Sequence, residues 1–261
     1  MKKYNYLPNI LGALGIIFAL LMFEMLIAVV FLELGISYEY GDPAASVIQV
    51  FAFGIVLTVL MHYSGITYSE LFHPSTNSVS ATLKLLVLPV SMFCISSVWW
   101  LTDILAALVA VYPPDADTLE MFERLIFSGV VSLIAVCVIA PFLEEMLFRG
   151  IILRGLLGSY SPIKSILISA FLFGFVHFNI YQFVAAFILG CFLGWIFYLS
   201  RSLWPCIFAH AIYNGTTYLP TMSNDQVEFG SPFESFIAIA FSLLAIYLIH
   251  RIFSYKSQAN S

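Results

Sequence analysis

The chain has 261 residues, of which 61% are hydrophobic and 10% charged, and its formal net charge is −5. With a mean hydropathy of +0.98 it cannot be a soluble globular domain, in which the charged share is about a quarter. The short polar gaps between apolar runs leave no room for a separate soluble domain, so residues 1–261 are expected to form a single integral-membrane domain. The negative total does not imply a basic partner, because a bilayer sorts charges by side; the expected partner is the lipid bilayer, and nucleic acid is not expected.

Apolar windows of about 20 residues, bounded by charge, proline or polar clusters, predict an all-α polytopic transmembrane bundle of about eight spans. The first, residues 8–34, is too long for a signal-peptide core and lacks a small-residue cleavage site, so it is expected to stay as an uncleaved span carrying Glu24. Span two covers residues 44–63, and the polar stretch from Pro74 to Ser80 is a loop. Span three, residues 83–112, carries Asp103 and, like span one, is long enough to tilt. Span four lies within residues 125–157 and contains Pro141, which removes a helical hydrogen bond and predicts a kink just before Glu144. Spans five to eight are read at 163–181, 183–200, 203–220 and 233–253.

With the N-terminus cytoplasmic and eight spans, Lys2, Lys3, Lys84, Arg149, Arg154, Lys164, Arg201, Arg251 and Lys256 fall on the cytoplasmic side, leaving only Arg124 on the other. The opposite side collects Glu39, Asp42, Asp115, Asp117, Glu120, Glu123, Asp225, Glu228 and Glu234. This asymmetry predicts that both termini are cytoplasmic. Cys94, Cys137, Cys191 and Cys206 all lie in apolar runs without C-x-x-C spacing, and read as small hydrophobes.

Two adjacent carboxylates in an apolar span need a reason, since one at the bilayer centre costs roughly 2.5–3.5 kcal/mol even on the lenient insertion scale. Glu145 and Arg149 are four residues apart with the acid N-terminal, the favourable orientation for a helical ion pair. Glu144, rotated by about 100° on the helix, is left free to take a proton. His177 closes the run Phe173-Gly-Phe-Val-His177, and His210 and Asn214 are again four apart, presenting an imidazole and an amide to one point. Glu144 with His177 could polarise a water, while His210 and Asn214 stabilise the oxygen anion of an attacked carbonyl.

These motifs, Glu144-Glu145-x-x-x-Arg149, Phe173-x-x-x-His177 and His210-x-x-x-Asn214, occur in this order in membrane spans. The set resembles the CAAX prenyl protease and bacteriocin-processing family, glutamate-type intramembrane endopeptidases also called Abi proteins, over roughly residues 125–220. The resemblance implies a peptide or protein substrate at the membrane and a metal-free water activated by Glu144 and His177. It implies an oxyanion hole from His210 and Asn214, with Glu145 and Arg149 in support and no cofactor. The short loops look like the family's bacterial branch, linked to bacteriocin maturation, self-immunity and peptide-signal processing, and imply a multi-pass protein of a bacterial plasma membrane.

Other readings compete. Glu144, His177 and His210 could supply a two-histidine, one-carboxylate zinc site, and the same buried groups could serve a non-catalytic scaffold or a proton-coupled transporter. Taken singly, an intramembrane histidine often only bonds a neighbouring backbone, and Asn214 could be interhelical glue. Glu24 and Asp103 are read as helix–helix hydrogen-bonding groups or a cavity lining, and Arg154 as a cytoplasmic anchor. His62, His73 and His250 are read as solvated, and Trp99 and Trp100 as lipid-facing or interfacial bulk. If span four began at Arg124, Glu144 would lie about 30 Å along it, out of reach of His177. The conflict eases if that helix runs on through Gly150 to Leu157, which predicts a polar cavity opening toward the cytoplasm between spans four, five and seven.

Overall fold

Helix starts are marked by side-chain caps that replace missing intrahelical acceptors. Asn9 accepts from Gly12 N at 2.9 Å to open α1 (Ile10–Glu33). Thr67 and Glu70 form a capping box on the short α3 (Tyr68–Phe72), which follows α2 (Pro43–Ser64). Ser78 caps α4 (Val79–Val111), and Asp115 caps α5 (Ala116–Phe127) through Thr118 N at 2.9 Å. Hydrogen bonds from the Thr118 hydroxyl and then from its backbone N–H favour the ionised form and hold the exposed Asp115 carboxyl below its usual range. The computed structural model describes residues 7–38, 43–127, 129–222 and 231–259, and in these every regular element is a helix, with no strand. Lys2, Lys3, Glu39, Asp42, Asp225 and Glu228 lie outside the described residues.

The central element is α6 (Gly129–Leu157), which runs through both glutamates and on past Gly150. It is not a uniform α-helix. It widens to π geometry at Ala135–Ile139, returns to α at Ala140–Glu145, and widens again at Met146–Leu153. In the first wide turn Ala140 N–H donates to Ala135 O, one residue beyond the α partner. The next carbonyl, Val136 O, would then require the N–H of residue 141. That residue is Pro141, which has none. The expected kink is therefore met by a register change, and Val136 O is left without a backbone donor.

The remaining helices are α7 (Pro162–Phe175), α8 (Ile180–Ser200), α9 (Trp204–Met222) and α10 (Pro232–Ala259). α10 packs along α4, α8 along α7, and α1 against α2. Gly190 permits the α7–α8 approach: a Cβ there would lie 3.0 Å from Ala170 Cα. The second wide turn of α6 is enclosed on all sides, every residue from Met146 to Leu153 being buried. Outward faces carry large apolar groups such as Leu11, Phe18, Leu88 and Phe236, as expected where lipid replaces water as the surrounding medium.

The protein is thus an all-helical, multi-pass integral-membrane protein, but the eight expected spans are not equal. Among the described residues six helices have the length and composition to cross a membrane: α1, α2, α4, α6, α8 and α10. α7 has 14 residues, which reach about 21 Å and fall short of a hydrocarbon core of about 30 Å. α9 is longer, but His210, Asn214, Thr216 and Thr217 dilute its hydropathy. Both expected windows hold helices, but the first ends at Phe175 rather than running to residue 181.

Contacts between loops define two ends of the bundle. At one end Leu203 N donates to Phe72 O at 2.8 Å, Arg154 Nη2 to Leu71 O at 2.9 Å, and His73 Nδ1 meets Ser202 Oγ at 2.8 Å. Lys84, Lys164, Arg201 and Arg251 belong to the same end by position in their helices. At the other end Tyr181 Oη donates to Tyr112 O, Ser235 Oγ donates to Asp103, and Tyr218 Oη reaches Gly129 O at 3.5 Å. Three expectations change. His73 is bonded through both ring nitrogens, to Ser202 and to Asn77 O, rather than merely solvated. Arg154 ties α3 to α6 and faces the Phe197 ring at 5.8 Å, so it is more than an anchor. Trp100 donates through Nε1 to Ser242 at 3.0 Å across the α4–α10 contact, whereas Trp99 is exposed. In each case at least one partner lies far away in sequence.

Gly155 tests the packing at the first end, because a Cβ there would lie within 2.6 Å of Pro8 N. Gly155→Ala should destabilise the protein by about 1–3 kcal/mol, the usual cost of overpacking. Gly54→Ala, with nothing within 4 Å, should leave the thermal midpoint in detergent unchanged or slightly raised.

Candidate functional site

The two glutamates of α6 end in different surroundings. Glu145 and Arg149 are both fully buried, and Arg149 Nη1 donates to Glu145 Oε1 at 2.7 Å. Arg149 Nη2 donates to Gly190 O at 3.2 Å, and its guanidinium lies 4.5 Å from the centre of the Phe173 ring. Glu144 retains 17% side-chain exposure and borders a cavity of about 410 Å³. The step of about 100° between successive helical residues is what separates them.

His210 lies between the two acids. Its Nδ1 is 3.0 Å from Glu145 Oε1 and its Nε2 is 3.7 Å from Glu144 Oε2. A carboxylate oxygen accepts, so Nδ1 is the donor toward Glu145. The Glu144 distance exceeds a direct hydrogen bond. Glu145 Oε1 therefore receives both Arg149 and His210, while Glu145 Oε2 and Arg149 Nε have no partner among the described residues.

His177 follows the end of α7, just before Phe178, whose φ of 50° turns the chain into α8. That left-handed conformation costs a non-glycine residue roughly 1–2 kcal/mol. Two other interactions hold the turn: His177 Nδ1 donates to Phe173 O at 2.9 Å, and Asn179 caps α8 through Tyr181 N and Gln182 N. In the neutral ring this leaves Nε2 as the acceptor. No hydrogen bond or ion pair joins His177 to Glu144 among the described residues, although both line the cavity.

Asn214 donates through Nδ2 to Val136 O at 2.8 Å. It thereby satisfies the carbonyl left without a donor by the wide turn and Pro141. Its second amide hydrogen is uncommitted by this bond, and Asn214 also lines the cavity. Phe173 links the whole group: its ring is 1% exposed and meets His177 edge-on at 5.3 Å, His210 at 5.5 Å and the Arg149 guanidinium. The sequence motif contains Phe173 but gives it no task. Its packing role depends on three helices meeting.

Glu24 of α1 is half-buried, while Asp103 takes the hydroxyl of Ser235 and so bridges α4 and α10. For the zinc alternative, no group of three or more His, Cys, Asp or Glu side chains is arranged to hold a metal ion among the described residues. The proposed donors are separated, with His177 apart and His210 Nδ1 engaged by Glu145.

The cavity also has a broader wall than spans four, five and seven alone. Its wall includes residues of α6, α7 and α9, but also Ala45 and Gln49 of α2, Phe122 of α5, and Tyr181 and Gln182 of α8. These belong to the end opposite Lys164 and Arg201. Toward the Lys/Arg-bearing end, the buried run Met146–Leu153 closes the site.

Removing Arg149 would leave Glu145 buried without its guanidinium partner. Arg149→Leu should cost about 3–5 kcal/mol, whereas Arg124→Ala at the partly exposed Glu120 pair should cost about 1 kcal/mol or less. Unfolding of the two purified variants in detergent measures the difference.

Residues 126–216 match the family described as type II CAAX prenyl endopeptidase Rce1-like. This is the group of proteases that the motifs in the sequence resemble. No curated protein and no solved structure matches the chain.

Proposed function

With residues 126–216 matching the Rce1-like CAAX endopeptidases, we propose that this protein is an intramembrane endopeptidase that hydrolyses a peptide bond with a carboxylate-activated water. The carrying observation is the separation of the paired acids: Arg149 neutralises Glu145, while Glu144 faces a cavity shared with His177, His210 and Asn214. A carboxylate in that position takes the proton from water as the oxygen attacks the carbonyl. His177 Nε2, oriented by the Nδ1 bond to Phe173 O, accepts a second hydrogen bond from the same water. His210, in the doubly protonated form that keeps Nδ1–H on Glu145 and leaves Nε2–H to donate, and the free amide hydrogen of Asn214 stabilise the developing oxyanion. The proton then passes from Glu144 to the leaving amine. No metal is required by this scheme, and the host membrane is proposed to be a bacterial plasma membrane, spanned eight times with both termini cytoplasmic.

One observation favours a different division of labour. His210 Nε2, and not His177, makes the 3.7 Å approach to Glu144, so His210 could share the water with Glu144. His210→Gln separates the two: an oxyanion donor is partly replaced by the amide and should outperform His210→Leu, whereas a proton-handling ring is replaced by neither.

Glu144→Gln should lower turnover of an apolar peptide by about 10²–10⁴-fold, with an unchanged thermal midpoint. Asn214→Leu should lower it by about 10² or more. Intact activity in both variants would favour a scaffold or transporter. Activity should persist in strong chelator; loss on chelation with rescue by zinc would favour the metal-dependent reading.

A further inference from the structure

The proposed reaction leaves one buried polar group of the cavity without a task, and the inference drawn from it rests on the peptidase reading above. Three tyrosines border the cavity: Tyr181, Tyr213 and Tyr218. Two of their hydroxyls are engaged, since Tyr181 Oη donates to Tyr112 O and Tyr218 Oη reaches Gly129 O at 3.5 Å. Tyr213 differs. It is 8% exposed, and its hydroxyl has no hydrogen-bond partner among the described residues. Gln182 Oε1 is also unpaired, but it is sealed within protein, whereas the Tyr213 hydroxyl is not.

A buried hydroxyl without a partner works against folding, because the water it gave up is not replaced. Nothing in the packing asks for it here. The ring belongs to the buried cluster that includes Phe53, Leu189 and Ala209, and phenylalanine would fill the same space without the unpaired oxygen. Held by that cluster, the hydroxyl is fixed in place before anything enters the cavity, so a ligand that bonds it loses little to ordering the protein.

The position of Tyr213 on α9 identifies what it would meet. Tyr213, Asn214 and Thr217 lie three, four and seven residues after His210, the spacing of one helical face, and all four border the cavity. Along the helix axis Tyr213 stands about 4.5 Å beyond His210 and about 1.5 Å short of Asn214. One residue of an extended chain spans about 3.3 Å. A peptide with its scissile carbonyl at His210 and Asn214 therefore brings a neighbouring main-chain carbonyl toward Tyr213. The wall there is apolar, with Val50, Phe53, Leu105 and Leu189, and shields such a bond from water.

We infer that Tyr213 is a substrate-binding residue whose hydroxyl donates a hydrogen bond to a main-chain carbonyl next to the scissile bond. Every peptide carries that carbonyl whatever its side chains. The contact thus fixes the register of an apolar segment that has few polar side chains of its own.

Tyr213→Phe removes the hydroxyl and keeps the ring. Because Oη bonds nothing within the protein, the thermal midpoint in detergent should be unchanged or raised; a lowered midpoint would show that the hydroxyl serves the fold and overturns the inference. Binding is read without turnover in the Glu144→Gln background, from the fluorescence anisotropy of a labelled apolar peptide. Adding Tyr213→Phe should raise Kd by about 5–100-fold, and equal affinity overturns the inference. In the active protein Tyr213→Phe should raise KM by a similar factor with kcat nearly unchanged; a fall in kcat at constant KM overturns it. Thioamides, whose sulfur is the weaker acceptor, are then placed along the peptide one at a time. The difference between the two proteins should shrink at one position beside the cut, and a difference that is the same at every position overturns the inference. If the wild-type protein cleaves no peptide, the peptidase reading falls while the binding comparison still decides Tyr213; a protein that binds no peptide overturns both.

Discussion

Arg149 and Glu145 are shut off from solvent, and two charges in that position persist only while each neutralises the other and most of their remaining hydrogen-bonding capacity is met nearby. The surrounding architecture follows from meeting that demand. The guanidinium needs a backbone carbonyl from α8, which Gly190 supplies. The absence of a side chain at Gly190 also lets α7 and α8 approach closely enough for Phe173 to cover the cation. The spare capacity of the carboxylate draws His210 in from α9. One ion pair thus pins four helices around Glu144, the acid left outside it.

The irregular backbone of α6 contributes the second constraint. Inside a bilayer an unsatisfied carbonyl costs several kcal/mol, so a wide turn followed by proline persists only with a donor from elsewhere. Asn214 supplies it. The bond between Val136 O and Asn214 fixes the depth of α9 relative to α6, and with it the height of His210 beside the glutamates. Asn214 therefore has a structural bond whatever its part in the reaction. Any loss on its removal combines the two, which is why turnover and stability are to be read together.

Polar groups far from the cavity follow the same logic of satisfaction within lipid. Asp103 with Ser235, Trp100 with Ser242, and Ser96 with Ser242 at 2.7 Å lace α4 to α10, and His73 and Arg154 close the Lys/Arg-bearing end. None of these pairings is legible in sequence, because each joins segments separated by at least 83 positions. A histidine in a loop or an arginine near a span end looks solvated until the loop that covers it is placed.

The amino-acid sequence by itself determined that the chain is helical and membrane-embedded, since hydropathy and charge act locally and leave few alternatives in lipid. It determined the pairing of Glu145 with Arg149, because a spacing of four is a property of one helix and survives the change to π geometry. The continuation of α6 through Leu157 was likewise readable, from the reach that Glu144 needs. Tertiary structure alone decided which histidine approaches Glu144, that Phe173 is the common wall of the site, and that Asn214 serves a carbonyl of α6. It also brought residues of α2, α5 and α8 into the wall of the cavity. Helix order tells which spans carry the acids and imidazoles; how far each helix slides against its neighbours sets which side chains share the cavity wall, and no single helix contains that information.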